Sequence, residues 1–167
     1  MLHNLVRMLD KGISFPSASA HCDIPCKIYD PIVAQISVLT MIRMVDLIEE
    51  LESAEGEKGG AYFSALGRMV AEKEEHGKKL KQEVQIIWGD YIKKPQLDAY
   101  PELHGLVHSI MLKASQCKQK VDKAATLELL DLVNRFAEIF WASKSVATTK
   151  ATCPYPPALE VVYPVLK

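Results

Sequence analysis

The fold is set by a long apolar stretch, residues 30–51, which read DPIVAQISVLTMIRMVDLIEEL. Asp30 can cap a helix, and Pro31 suits the first helical position because its φ is already close to the helical value. Apolar residues then recur at helical spacing. These are Ile32, Val33, Ile36, Leu39, Val45, Ile48 and Leu51, with Met41 and Met44 widening the same face. The stretch predicts an amphipathic helix that ends before the glycine-rich residues 56–60.

Three more helical patterns follow. The second helix is expected from about Ala61 to Tyr91, the third from near Pro101, and the fourth from about Ala124 to Lys144. The residues expected on their buried sides are Phe63, Leu66, Met69, Val70, Leu80, Val84, Ile87 and Trp88, then Leu103, Leu106, Val107, Ile110 and Met111, then Leu127, Leu130, Val133, Phe136 and Phe140. Four amphipathic helices with short connections predict an all-α, up-and-down four-helix bundle.

The composition narrows the function classes. The chain has 167 residues, enough for one domain, of which 49% are hydrophobic and 25% are charged. The net charge is −1 with no basic block, so a nucleic-acid partner is not expected. The apolar runs are too short and too interrupted to span a membrane. Four cysteines, two of them scattered, do not form the framework of a disulfide-rich secreted domain, so a cytoplasmic location is expected.

The two ends of the chain differ from its middle. Residues 1–20 contain Arg7, Asp10 and Lys11 among the apolar residues, which is not typical of a secretory signal. This segment ends in Ser-Ala-Ser-Ala, small residues that suit a protease subsite. A frayed N-terminus is the alternative interpretation. The proline-rich residues 148–167 are expected to be extended, draped over the bundle or over a neighbouring subunit.

The chemically informative stretch is residues 21–31, HCDIPCKIYDP. The Cys-x3-Cys spacing alone could be two unrelated thiols, a redox pair or half of a zinc site, although no second ligand pair follows. Cleavage after Ala20 would free the α-amine of His21. That amine, the backbone nitrogen and thiolate of Cys22, and the thiolate of Cys26 could then chelate one metal. Such a tetragonal N,S donor set suits Ni(II) or Cu(II) better than zinc, and the His21 imidazole could be a removable axial ligand.

This stretch resembles the nickel hook of nickel superoxide dismutases, whose mature N-terminus begins His-Cys-x-x-Pro-Cys-x-x-Tyr. Three downstream segments are similar to family segments, and the resemblance covers about residues 21–144. They are Trp88-Gly89-Asp90-Tyr91, Tyr100-Pro101-Glu102-Leu103-His104 and Phe140-Trp141. Lys27 replaces a common glycine, and Ser37 and His76 stand where one subgroup has the Glu and Arg that hold the axial imidazole.

The resemblance implies a nickel-dependent enzyme that disproportionates superoxide to oxygen and hydrogen peroxide through Ni(II)/Ni(III) cycling. It implies that nickel is bound by His21, Cys22 and Cys26. It also implies that Tyr29 stands over the open face of the metal, ordering water and limiting access. Asp23 and Tyr91 are further candidates for active-site residues around the ligands.

The resemblance also implies a processing protease and a homohexamer. The expected division is a cleaved pro-segment, residues 1–20, a nickel hook plus four-helix bundle, residues 21–147, and the tail, residues 148–167. Two alternatives stay open: a nickel-binding or nickel-delivery helical protein without turnover, and a helical interaction protein whose hook is never processed.

Several other residues receive predictions of their own. Removal of the pro-segment leaves 18 basic and 20 acidic residues, a net charge of −2, so the overall field cannot attract an anionic substrate. Lys27, Lys93 and Lys94 are candidates for a local positive patch. Cys117 is expected in the core, and Cys153 is expected to be a tail thiol without a catalytic role. His104 and His108 are expected to be a capped or solvated pair rather than metal ligands.

Overall fold

The computed structural model describes residues 26–166. The predicted pro-segment and the hook residues His21, Cys22 and Asp23 lie outside this range. The described helices are α1 (Ile32–Ser53), α2 (Gly60–Ile86), α3 (Lys94–Ala99), α4 (Leu103–Gln119) and α5 (Lys123–Ser143), with a π-helical turn (Ile87–Tyr91) directly after α2. Two strands follow, β1 (Thr148–Thr152) and β2 (Glu160–Pro164).

The four long helices form a closed ring of neighbours. Helix α1 packs against α2 and α5, and α4 packs against α2 and α5, so helices that follow one another in the chain are neighbours in space. One continuous apolar core lies between them. The predicted all-α, up-and-down four-helix bundle is confirmed, with α3 as a short connecting helix.

Helix α1 begins as the sequence predicts, but its buried face differs. The Asp30 carboxylate accepts a hydrogen bond from the backbone N–H of Ile32 at 2.8 Å, which caps the first turn. The prediction was wrong for Ile36, whose side chain is 45% exposed. Because α1 packs against two helices, its buried arc is broad and also takes in Ala34, Val38 and Ile42, which were not predicted. The fully buried apolar residues of α1 are Ala34, Val38, Met41, Ile42, Val45 and Ile48.

The first half of α2 is not part of the core. Four residues predicted to be buried there (Phe63, Leu66, Met69 and Val70) are half-buried or exposed, and Phe63 is 61% exposed. Helix α2 has 27 residues and α4 has 17, so α2 is about 15 Å longer and extends past its partner. Its apolar outer turns therefore have too few neighbours within this chain to be buried.

The second predicted helix does not continue regularly to Tyr91. The α-helical pattern ends at Ile86 and is followed by the π-helical turn, in which the N–H of Ile92 bonds to the carbonyl of Ile87 at 3.1 Å. Helix α3 was not predicted. It starts where the Gln96 side chain accepts the N–H of Lys93 at 3.1 Å. The π-helical turn places one extra residue in the helix and so changes the direction of Tyr91.

The C-terminal tail forms an antiparallel hairpin in which Lys150 faces Val162. Val161 and Val162 are buried, and both strands pack against α5 of the same chain. The hairpin is therefore an integral part of the described domain.

None of the helices between residues 26 and 166 combines the length and the apolarity needed to cross a lipid bilayer.

Candidate active site

The described chain begins inside the predicted hook, at Cys26. Its side chain is exposed and its thiol is free. His21 and Cys22, the other two predicted metal ligands, and Asp23 lie outside the described residues. An exposed thiol is a suitable donor, since the thiolate is a ligand that nickel accepts. The part of the chain that the structure describes has no group of three or more His, Cys, Asp or Glu residues that could hold a metal. The hook remains the candidate metal site.

Lys27 has a backbone conformation that explains why glycine is common at this position of the family. Its φ is +59°, in the left-handed region that non-glycine residues occupy at a cost of about 1–2 kcal/mol. A glycine would adopt the same backbone conformation without strain, because it has no Cβ to clash.

Tyr29, which the family resemblance predicts to stand over the metal, packs against Tyr91. The two ring centroids are 5.7 Å apart, with the planes tilted by 46°. Tyr91 in turn packs on Phe140, with centroids 5.0 Å apart. The structure therefore brings together two of the predicted active-site residues, although they are far apart in the chain. We call the rings of Tyr29, Tyr91, Phe140 and Trp141 the aromatic cluster.

The phenol of Tyr91 is oriented by the last turn of α5. Its oxygen lies 2.8 Å from the hydroxyl of Ser143, and that hydroxyl donates to the carbonyl of Phe140 at 2.7 Å. A serine has one proton to donate, so the phenol is the donor to Ser143. The lone pairs of the Tyr91 oxygen are therefore available as acceptors on the other side. Sequence reasoning missed Ser143, because nothing in the sequence pairs residue 91 with residue 143.

Lys144, at the end of α5, is a second residue beside Tyr91 that the sequence did not indicate. Its Nζ lies 4.6 Å from the ring centroid of Tyr91 and 5.1 Å from that of Phe140. An ammonium group at these distances from a ring centroid makes a cation–π interaction. Lys93 and Lys94, two of the predicted candidates for a positive patch, have other partners. Lys93 Nζ donates to the carbonyl of Gly89 at 3.1 Å, and Lys94 pairs with Asp98 at 2.8 Å.

Ser37 and His76, which stand where one subgroup has Glu and Arg, form hydrogen bonds within their own helices. The buried Ser37 hydroxyl donates to the carbonyl of Val33 at 2.7 Å. His76 Nδ1 lies 3.0 Å from the carbonyl of Glu72.

The remaining cysteine and histidine predictions can be compared with the structure. Cys117 is fully buried, as predicted, and burial raises the pKa of its thiol to about 11, so it stays protonated at neutral pH. Cys153 is also buried, and its thiol donates to the carbonyl of Tyr155 at 3.2 Å. His104 accepts a hydrogen bond at Nδ1 from the indole N–H of Trp88 at 3.0 Å, and His108 is exposed. Two of the family-like segments thus meet at Trp88 and His104.

Comparison with known proteins agrees with this arrangement. Residues 16–144 match the family model of nickel-containing superoxide dismutase. The superoxide dismutase [Ni] of Streptomyces seoulensis is 33% identical over 126 residues, which are 75% of this chain and 89% of that protein. The superoxide dismutase [Ni] of Streptomyces coelicolor is 30% identical over 128 residues, 77% of this chain and 91% of that protein.

Solved structures extend the comparison to the fold. A native nickel superoxide dismutase structure is similar with a TM-score of 0.64 and 31% identity, over 74% of this chain and 99% of that chain. A crystal structure with nickel ligation of the oxidized state has a TM-score of 0.64 and 30% identity, over 75% of this chain and 99% of that chain. The family match ends at residue 144, before the C-terminal hairpin. The chain belongs to the nickel-containing superoxide dismutase family.

Proposed function

We propose that this protein is a nickel-dependent superoxide dismutase that converts two superoxide ions and two protons into oxygen and hydrogen peroxide. The observation that carries the proposal is the contact of the hook residue Tyr29 with Tyr91, at a ring-centroid distance of 5.7 Å. The free Cys26 thiol lies three residues before Tyr29, so the aromatic cluster borders the hook. Membership of the family supports the same activity.

Nickel would be held by the amine and imidazole of His21, by the amide nitrogen and thiolate of Cys22, and by the thiolate of Cys26. When bound there, it supplies the two accessible oxidation states that a dismutation requires. This donor set fits nickel because thiolates and a deprotonated amide are strong electron donors that stabilise the higher oxidation state.

The protein's own contribution is a restricted approach to the metal. Tyr29 is packed against the core, and its proposed role is to limit what can reach the ligands. Tyr91 presents an acceptor oxygen, because its proton is directed to Ser143. That oxygen can order a water molecule or the phenol of Tyr29. Asp23 is proposed as a further residue beside the ligands.

Activity requires maturation of the chain. The α-amine of His21 exists only after a protease cuts between Ala20 and His21, and the small residues Ser17, Ala18, Ser19 and Ala20 suit such cleavage. We therefore infer a precursor in which residues 1–20 are a pro-segment. The processed enzyme is proposed to work in the cytoplasm.

The assembly is proposed to be a homohexamer. The outer half of α2 supports self-association, since Phe63 is 61% exposed and a groove between α1 and α2 has an apolar lining. That lining includes Met44, Leu47, Ala65 and Met69. Burial of this surface against other copies would remove apolar area from water. Light scattering of the processed protein is expected to give six times the mass of one chain, and a monomer would contradict this part of the proposal.

The decisive experiment combines three measurements on the native protein: N-terminal sequencing, metal content and dismutase activity. We expect a chain that starts at His21, about one nickel per chain and turnover proportional to bound nickel. Stoichiometric nickel without turnover would favour the nickel-delivery alternative. Full activity in a chain that still begins at Met1 would refute the maturation step.

A further inference from the structure

A lysine at the end of α5 is placed against the aromatic cluster. The Lys144 ammonium lies 4.6 Å from the Tyr91 ring centroid and 5.1 Å from the Phe140 centroid. Tyr91 contacts Tyr29, which follows Cys26 by three residues. A positive charge therefore lies at the edge of the proposed active site, although the sequence places it far from the hook.

The charge of Lys144 is not compensated within the described chain. The residue is exposed, and no carboxylate of residues 26–166 lies within the 4.0 Å that defines an ion pair. Lys94, by contrast, is neutralised by Asp98 at 2.8 Å. Lys93 carries no such pair but donates to the carbonyl of Gly89. Of these three lysines, Lys144 combines an uncompensated charge with direct contact to the aromatic cluster.

Backbone hydrogen bonds at the end of α5 fix the point from which the Lys144 side chain starts. The N–H of Lys144 donates to the carbonyl of Trp141 at 3.0 Å, and the N–H of Ser145 donates to that of Ala142 at 2.9 Å. Ser145 then turns the chain away with a φ of +59°. The C-terminal end of a helix also favours a cation. The contacts with the Tyr91 and Phe140 rings place the ammonium beside the cluster.

We propose that Lys144 is the residue that guides the anionic substrate to the active site. This inference rests on the proposed dismutase function. The mature chain carries a net charge of −2, so a local cation is needed to offset the repulsion of a superoxide ion. A unit charge about 6 Å from a univalent anion raises its local concentration about threefold in water-like surroundings, and salt screens this effect over about 10 Å at 0.1 M.

The first test compares Lys144→Met with Lys144→Arg. Met keeps an apolar stem on the rings and removes the charge, whereas Arg keeps both the charge and the cation–π contact. Lys78→Met is the matched control, because Lys78 is exposed on α2 and pairs only with the nearby Glu75 in the described chain. Each processed, nickel-loaded variant is measured for kcat/KM against ionic strength by pulse radiolysis.

Wild type, Lys144→Arg and Lys78→Met are expected to lose rate as salt increases. Lys144→Met is expected to be about threefold slower at low salt and to lose this fall in rate with salt, because its net charge of −3 repels the anion and salt screens that repulsion. Equal salt dependence in Lys144→Met and wild type would overturn the inference. So would an equal loss in Lys78→Met, since net charge alone would then explain the effect.

A second test needs no metal and no turnover. Trp141 belongs to the aromatic cluster, so its fluorescence in a Trp88→Phe background reports the local concentration of iodide, an anionic quencher. Lys144→Met is expected to lower the iodide quenching constant about two- to threefold and to leave quenching by neutral acrylamide unchanged. Unchanged iodide quenching would overturn the inference. Absence of turnover in nickel-loaded wild type would refute the proposed function and not this result.

Discussion

The buried side-chain amide of Asn134 attaches the C-terminal hairpin to the bundle. Removing this amide is a sharp test of the fold. The Asn134 side chain on α5 donates to the carbonyl of Glu160 at 3.0 Å and accepts the N–H of Val162 at 3.1 Å. It also accepts from the amide of Gln35 on α1 at 3.4 Å, and Gln35 donates to the carbonyl of Val162 at 2.8 Å. The outer edge of β2 is thus satisfied by side chains instead of a third strand.

The expected effect of Asn134→Ala follows from these bonds. Each neutral hydrogen bond contributes about 1 kcal/mol net, and leaving the buried Val162 N–H without an acceptor costs about 1–3 kcal/mol. We therefore expect the free energy of unfolding to fall by about 2–4 kcal/mol. For a domain of this size, that corresponds to a decrease in Tm of about 10 °C. Gln35→Ala, which loses the bond to Val162, is expected to cost about 1–2 kcal/mol.

Urea denaturation of the full chain, followed by circular dichroism, measures these differences. Thr149→Ala is the matched control, because Thr149 is exposed on β1 of the same hairpin. The double variant Asn134→Ala/Gln35→Ala is expected to lose less than the sum of the single variants, since the two amides are bonded to each other. An Asn134→Ala protein within 0.5 kcal/mol of the Thr149→Ala protein, a threshold of about the size of ordinary surface effects, would refute this account.

Three more predictions concern the hook and the core. Cys26→Ser is expected to abolish nickel-dependent turnover and to leave the helical circular dichroism intact, because Cys26 is exposed outside the core; an active variant would contradict the ligand assignment. Burial lowers the pKa of Lys73, so the unfolded chain binds its proton more tightly, and the contribution of Lys73 to the free energy of unfolding should rise with pH from the lowered pKa up to the ordinary value of 10.5. Lys73→Met should remove that rise in urea titrations between pH 8 and pH 11, a range set by about the ordinary lysine pKa, and an unchanged pH dependence would count against it. Lys27→Gly is expected to stabilise the fold by up to about 1 kcal/mol by relieving the left-handed backbone, whereas Lys27→Ala should not; equal unfolding midpoints for the two would disprove the strain.

The family and the helices could be read from the sequence because both are local signals. Helical periodicity depends on residues three or four positions apart, so the pattern of residues 30–51 and of α4 and α5 predicted real elements. The Asp30 cap and the hook motif are also contained within a few residues. The hook identifies the chemistry because its ligands lie close together in the chain.

What could not be predicted depends on which elements pack together. The middle of α2 is highly charged, as is typical of a solvated face, yet Lys73 is buried there. Its ammonium donates to the carbonyls of Cys117 and Lys118 at 2.6 Å and of Lys120 at 3.0 Å, so it caps the end of α4. The apolar outer turns of α2 looked buried, yet they extend past their partner helix. In both cases burial is decided by the neighbouring helix and not by the residue itself.

The active-site surroundings show the same division. The sequence by itself predicted the nickel hook and the need for a free His21 amine, and its resemblance to the family made Tyr29 and Tyr91 candidates. Only the tertiary structure decided that Tyr91 donates to Ser143, that Lys144 lies over its ring, and that β2 is held by Asn134. These contacts join residues that are 28 to 53 positions apart, and such pairs are fixed by the packing of whole helices, which no local pattern encodes.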